Sequence, residues 1–386
     1  MLRERFPGLS DGWARLDGPA GTQMVDDAID AMTAWMRSGR SANHGGTFAA
    51  ALATDGLVDE TRAAVGRLLG ADARGVVFGP SMTALAMRFA AAAGRALERG
   101  DELVVTRLDH DANVQPWRIA AERAGATVRY AEPEPGTLEL PAAAVEAVLS
   151  KRTRWVAVTA ASNSLGTVPD LAGIVAAAHA SGARVFLDAV HAAAHRPLDV
   201  AALGADALAC SAYKWFGPHV GVLWAREELL AGLEPDKLRP SPDTVPERWE
   251  LGTLPFESLA GVRAAADFVV GLDREALRAH EDALLAAMLD GLGGIDGVTL
   301  HGAARDRTPT VMFTLGGVDA REVAGWLAAR RVAVWAGNYY ALELSRHLGL
   351  EPAGAVRAGA VAYTDEADVE RLIEAVAALA TVPYTQ

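Results

Sequence analysis

Ser211-Ala-Tyr-Lys214-Trp-Phe-Gly217-Pro218 follows a short apolar run, Ala207–Cys210, and decides how the chain is read. A lysine at the end of a buried strand, between aromatic side chains and a Gly-Pro turn, sits where water is scarce. Desolvation lowers a lysine's pKa and makes its amine nucleophilic, as Schiff-base chemistry requires. A surface lysine after an edge strand fits the same eight residues equally well, so the surroundings decide.

Outward from that turn, strand-like runs recur at Gly75–Phe78, Glu102–Thr106, Thr127–Tyr130, Trp155–Thr159, Arg184–Leu187, Ala207–Cys210 and Gly221–Trp224. Ala-rich stretches with helical periodicity separate most of them, at Thr83–Glu98, Pro116–Ala124, Pro141–Ser150 and Asp170–Ala180. This alternation predicts an α/β fold with a mostly parallel sheet flanked by helices on both faces. Ligands of such sheets bind at the carboxyl ends of the strands, where Lys214 stands. Three prolines in Leu238–Pro246 forbid regular structure there. Beyond them, one long helical stretch over 257–292 precedes strands at Thr310–Leu315, Val332–Trp335 and Ala355–Val361. With helices at Ala320–Arg330 and Glu366–Ala380, these predict a smaller α+β unit.

Composition narrows the function. The 386 residues carry 36 Lys+Arg against 49 Asp+Glu, a net charge of −13, which repels nucleic acid and anionic membrane alike. One cysteine, Cys210, makes neither an internal disulfide nor a zinc cluster, and fits a reduced, cytoplasmic setting. The opening Met1-Leu-Arg-Glu-Arg-Phe-Pro-Gly8 has no apolar stretch behind its charges, unlike a signal peptide. No run approaches the roughly 18 apolar residues of a membrane helix.

Other strand ends carry polar residues too. Phe186-Leu-Asp188-Ala-Val-His191 closes an apolar strand with an acid, which by itself is a helix N-cap or a functional carboxylate. Together with Lys214 it suits pyridoxal 5′-phosphate (PLP), whose pyridine nitrogen needs a buried acid to stay protonated. Gly79-Pro-Ser81-Met82-Thr83 opens a helix after a strand and offers amides and a hydroxyl to a phosphate, although an ordinary Ser N-cap reads the same way. It is neither a Walker loop nor a nucleophile elbow. Leu108-Asp-His110 offers a flat imidazole, and Ala161-Ser-Asn163 an amide donor. His191, His195 and Asp199 are spaced for one helix face, but Pro197 breaks that helix, so no metal site is expected. Five strand ends bearing Thr, His, Asn, Asp and Lys in order are hard to ascribe to turn chemistry alone.

The pattern resembles a fold-type I PLP enzyme of aminotransferase class V, in the cysteine desulfurase-like group. The resemblance runs from Leu16-Asp-Gly-Pro-Ala-Gly-Thr22 to Arg357 and Tyr363, and rests on Asp188-Ala-Val-His191, Ser211-Ala-Tyr-Lys214 and Glu250-Leu-Gly-Thr253 in that order. It is clearest at His110–Trp117 and Ser162–Thr167. It implies a large domain of residues 25–258, with a seven-stranded sheet, and a small domain of residues 1–24 and 259–386. Lys214 would form the Schiff base and shuttle the α-carbon proton. Asp188 would bind the pyridine nitrogen and His110 would stack on the ring. Asn163 and His191 would lie near the phenolic oxygen, His191 standing where desulfurases have glutamine. Met82 (by its amide), Thr83, Ser211 and Tyr213 would cradle the phosphate, Tyr213 standing where histidine is usual. Thr253 would reach the phosphate of a partner subunit, which implies a homodimer. Arg357, with Asn338 and Tyr340, would bind the substrate, the guanidinium gripping its carboxylate.

One departure bears on activity. Desulfurases carry a loop cysteine that takes the substrate's sulfur as a persulfide. The matching segment here reads Trp335-Ala-Gly337-Asn-Tyr339-Tyr340-Ala341, with Tyr340 at that position. A phenol with a pKa near 10 does not accept sulfur as a thiolate does. The expectation is therefore desulfurase-like or C–S lyase (β-elimination) chemistry on an amino acid, without a persulfide cysteine. A class V aminotransferase or an epimerase, which share the first steps, and a non-catalytic PLP-fold protein are the alternatives.

Overall fold

The computed structural model describes residues 2–382. Met1 and residues 383–386, the extremes of the small domain expected from sequence, lie outside the described residues. A two-residue strand, β1 (Ala14–Arg15), comes first. Seven longer strands follow: β2 (Val76–Gly79), β3 (Glu102–Thr106), β4 (Thr127–Ala131), β5 (Thr153–Thr159), β6 (Arg184–Asp188), β7 (Ala207–Ser211) and β8 (Gly221–Ala225). They form one sheet in the order β2-β8-β7-β6-β5-β3-β4. The five strands from β7 to β4 run parallel, while β8 is antiparallel to both β7 and β2. Parallel neighbours need a crossover of about a dozen or more residues. The helices Gln115–Ala124 and Leu171–Ser181 supply two of these. Segment 212–220, which carries Lys214, is too short for one, so β8 returns antiparallel.

Every residue of β2, β3, β7 and β8 is buried, because helices cover both faces of the sheet. That is why these strands read as apolar runs rather than as alternation. One face packs Phe89, Trp117, Trp155 and Phe186 against each other with ring centroids 5.2–6.3 Å apart. Beyond the large sheet, β9 (Val298–His301), β10 (Thr310–Leu315), β12 (Trp335–Gly337) and β13 (Ala355–Gly359) form a second, antiparallel sheet in the order β12-β13-β10-β9. The strand β11 (Val332–Ala333) instead pairs in parallel with β1, tying the N-terminal segment to this part of the chain. Among the described residues, no helix is long and apolar enough to cross a membrane.

Several local expectations change. The helical stretch over 257–292 is two helices, Phe256–Val270 and Arg274–Gly293, because Asp273 accepts the amides of Glu275 and Ala276 and starts a new one after Gly271. The strand expected at Val332–Trp335 is divided between two sheets as β11 and β12. The helix expected over Pro141–Ser150 shortens to Ala142–Glu146. Helices at Asp26–Arg37, Ala49–Leu69 and Leu342–His347 and the half-exposed strand β9 form where the sequence predicted no element.

Candidate active site

The carboxyl ends of the parallel strands meet the second sheet around a cavity of about 620 Å³. Lys214 enters it from the turn after β7. Trp215 and Phe216 of that turn are fully buried, and Phe216 packs on Phe6, Phe268 and Tyr363 at 5.2–6.2 Å. The turn is also tied to the N-terminal segment: the amide of Phe216 donates to the Thr22 hydroxyl, and the Thr22 amide donates to the Tyr213 carbonyl, both at 3.0 Å. With its neighbours pinned on the far side, the Lys214 amine points into the cavity and donates to the Pro19 carbonyl. Burial, and then the Arg357 guanidinium, pull its pKa down to about 7, although Asp188 opposes them.

Asp188 is the last residue of β6, with the Val190 amide donating to its Oδ1 at 2.9 Å. Burial raises its pKa to about 6. His110 caps a short turn, its Nδ1 accepting the Ala112 amide at 3.0 Å. Burial, then Lys214 and Arg357, lower its pKa to about 4, so the ring facing the cavity is neutral at pH 7. His191 is buried, with Nε2 2.9 Å from the Thr308 hydroxyl and 3.1 Å from that of Thr310. Burial first, and the neighbouring His195 next, hold it neutral. Arg357, in the middle of β13, donates to the Asn163 carbonyl at 2.9 Å and lies over the Tyr339 ring at 4.5 Å. Burial lowers its pKa to about 10, which leaves it a cation at neutral pH.

Met82, Thr83, His110, Asn163, Asp188, His191, Ser211, Tyr213, Lys214, Tyr340 and Arg357 thus all line one cavity. Two expected residues do not. Asn338 sits beside it: its Nδ2 donates to Glu351 at 2.9 Å and its Oδ1 accepts the Tyr340 amide at 3.1 Å, so the turn itself occupies the side chain. Thr253 is exposed, outside the cavity, and within a single chain it contributes nothing to the lining. Met87 and Pro116 line the cavity without having been singled out, and Trp335 and Tyr339, neighbours of Tyr340 in its loop, line it as well. The sequence signal for them is the aromatic run 335–340 itself. Of the metal-spaced trio, His195 instead pairs with Glu281 at 2.8 Å, and Asp199 caps a short helix by accepting the Ala202 amide.

The donor set fits PLP. At one end the helix Met82–Gly94 begins, and its first amides have no acceptor within the helix. The hydroxyls of Thr83 and Ser211 stand on the same cavity wall, a phosphate-binding combination. Gly221 makes the junction possible, since a Cβ there would lie 2.2 Å from the Ser81 carbonyl carbon. An uncharged imidazole, a buried carboxylate and a lysine of lowered pKa follow along the wall. Asn163 Oδ1 and Arg357 Nε are buried without a protein partner, as expected of groups that meet a polar ligand.

Sequence comparison agrees. Residues 14–372 match the aminotransferase class-V family. An uncharacterized Mycobacterium tuberculosis protein is 33% identical over 98% of both chains. A cysteine desulfurase of Dickeya dadantii is 32% identical over 96% of this chain and 94% of its own. The crystal structure of an Escherichia coli cysteine desulfurase superposes with a TM-score of 0.89 at 27% identity, covering 97% and 96% of the two chains. The chain therefore belongs to the aminotransferase class-V family, with the fold-type I architecture of its cysteine desulfurase-like members. The cofactor of that family is PLP.

Proposed function

We propose that this protein cleaves the Cβ–S bond of a cysteine-type amino acid by β-elimination and works as a cytoplasmic homodimer. The observation that carries the proposal is the position of the only thiol. Cys210 has 0% exposure within β7, and burial raises its pKa to about 12. A buried, protonated thiol cannot take sulfur from a substrate. At the cavity mouth stands Tyr340, a residue 72% exposed. The departing sulfur therefore leaves with its electron pair, as sulfide or thiolate, and no persulfide forms.

Met82, Thr83, Ser211 and Tyr213 would hold the phosphate of PLP, Asp188 its ring nitrogen and His110 its ring face. When bound, PLP draws electron density from the substrate's α-carbon. Arg357 grips the substrate carboxylate and fixes which α-carbon bond is presented. Lys214, whose amine points into the cavity, would take the α-proton and could return it. Asp188 would keep the ring nitrogen protonated. The balance is closed: cysteine and water give pyruvate, ammonia and sulfide. Met36, Phe48, Leu52 and Leu251 are exposed apolar side chains on neighbouring segments, which supports a covered face and a dimer in which Thr253 serves the partner's phosphate site.

The test is the PLP-loaded protein with L-cysteine, quantifying pyruvate, alanine and sulfide together. Pyruvate and sulfide in equal amounts are expected. Alanine in place of pyruvate would mean desulfuration, and turnover only when a keto acid is added would mean transamination.

A further inference from the structure

We propose that the amino acid this site accepts is an S-substituted cysteine whose sulfur carries a bulky, flat, uncharged group, seated between Trp335 and Tyr340. The reaction assumed is the β-elimination proposed above; the binding stands independently of it.

The register of the second sheet supplies the first argument. In β12 and β13, Trp335 is directly opposite Arg357. Opposed residues of antiparallel strands share a face, with Cβ atoms about 5 Å apart. An amino acid held by its carboxylate on Arg357 therefore has an indole beside it. Trp335 is 54% exposed and lines the cavity.

The turn after β12 supplies the second. Tyr339 and Tyr340 both have positive φ, 54° and 60°. Bulky residues rarely adopt that conformation, and it persists only where the surroundings enforce it. The surroundings do so: the Asp111 amide donates to the Tyr340 carbonyl at 2.7 Å, and Asn163 donates to the Tyr339 carbonyl at 3.1 Å. The result is a largely exposed Tyr340 ring 5.4 Å from the His110 ring at an interplanar angle of 31°. A strained aromatic that packs so little against its own chain is a ligand-facing group.

The other walls agree. Met87, 41% exposed, lies one helical turn beyond Thr83 on the same helix face, and Pro116 adjoins it. Asp111, a carboxylate in the cavity lining, disfavours an acidic substituent. Bond changes are those of elimination. The α-proton leaves to Lys214, the Cβ–S bond breaks with its pair on sulfur, and a thiol departs. The three-carbon remainder takes up water to give pyruvate and ammonia, with no oxidant or reductant.

Binding is measured by spectral titration of the PLP-loaded protein with three amino acids that have no sulfur to lose. L-2-Amino-5-phenylpentanoate is the carbon isostere of S-benzyl-L-cysteine, L-norvaline is the same chain without the phenyl, and L-2-aminoadipate carries a carboxylate instead. The phenyl compound should bind at least tenfold tighter than norvaline, and aminoadipate weaker than either. That ratio should fall towards one in Tyr340→Gly and Trp335→Ala and persist in Tyr340→Phe. Tyr340→Gly suits the positive φ, and Trp335 is exposed, so neither change threatens folding. Equal affinity for the phenyl compound and norvaline in the wild type overturns the proposal, even if L-cysteine yields pyruvate. Conversely, a clear phenyl preference with no pyruvate from S-benzyl-L-cysteine supports this binding mode and removes the elimination reading.

Discussion

Lys214 is one of only three lysines in the chain, with Lys151 and Lys237, so its chemistry can be followed by mass. Its pKa near 7 gives a signed expectation. Below pH 7 the amine is protonated and inert; above it the neutral amine dominates. In the cofactor-free protein, acylation of Lys214 should rise through about pH 7 and level off above about pH 8. A rate still climbing past pH 10, as for a solvated lysine, would contradict the burial argument. At this scale the sequence was informative where a polar residue ends an apolar run, as at Asp188 and Lys214. Arg357 was legible only by resemblance, since an arginine inside β13 looks like any strand arginine. Asn338 lies outside the cavity lining because its side chain bonds Glu351 and the Tyr340 amide, partners that local composition does not reveal. Trp335 was legible only as part of an aromatic loop, because its nearness to Arg357 is a matter of strand register.

Between elements, a buried pair joins the site to the second part of the chain. His195 Nδ1 and Glu281 Oε1 are 2.8 Å apart, with side chains 2% and 1% exposed, and Arg196 lies 4.0 Å from the other Glu281 oxygen. This pair links the helix Arg274–Gly293 to the short helix Ala192–His195, which directly follows His191. Glu281→Ala leaves the buried His195 Nδ1 without its partner and should cost about 3 kcal/mol in denaturant unfolding. Glu281→Gln keeps an acceptor and should cost less than half as much. Equal losses in the two variants would mean that packing, not the pair, matters at this point. The parallel strands and their helices were legible because both faces are buried. The split at Gly271–Asp273 was not, since one amphipathic pattern runs through both helices. The helix Ala49–Leu69 was hidden by Gly56 in its first half and Gly66 in its last turn.

In the whole molecule, alternation of strand and helix predicted the large sheet, and it forms. Its order was not readable: β8 lies between β2 and β7 because of a short connection and long-range pairing. The second sheet was only partly foreseen, its strands being three to six residues long and two of them, β9 and β12, half-exposed. The proposed dimer belongs to this scale. Sedimentation should give twice the chain mass, and Leu251→Asp, at a 58% exposed position two residues before Thr253, should weaken association at least tenfold. A monomeric wild type would remove Thr253 from the partner's site. The central claim is that carbon–sulfur cleavage here needs no thiol. Its most direct test is PLP-loaded Cys210→Ala with L-cysteine, assayed for pyruvate, alanine and sulfide. Undiminished pyruvate and sulfide without alanine is the predicted result. A folded, PLP-bound variant that has lost turnover, or a wild type that makes alanine, would contradict it.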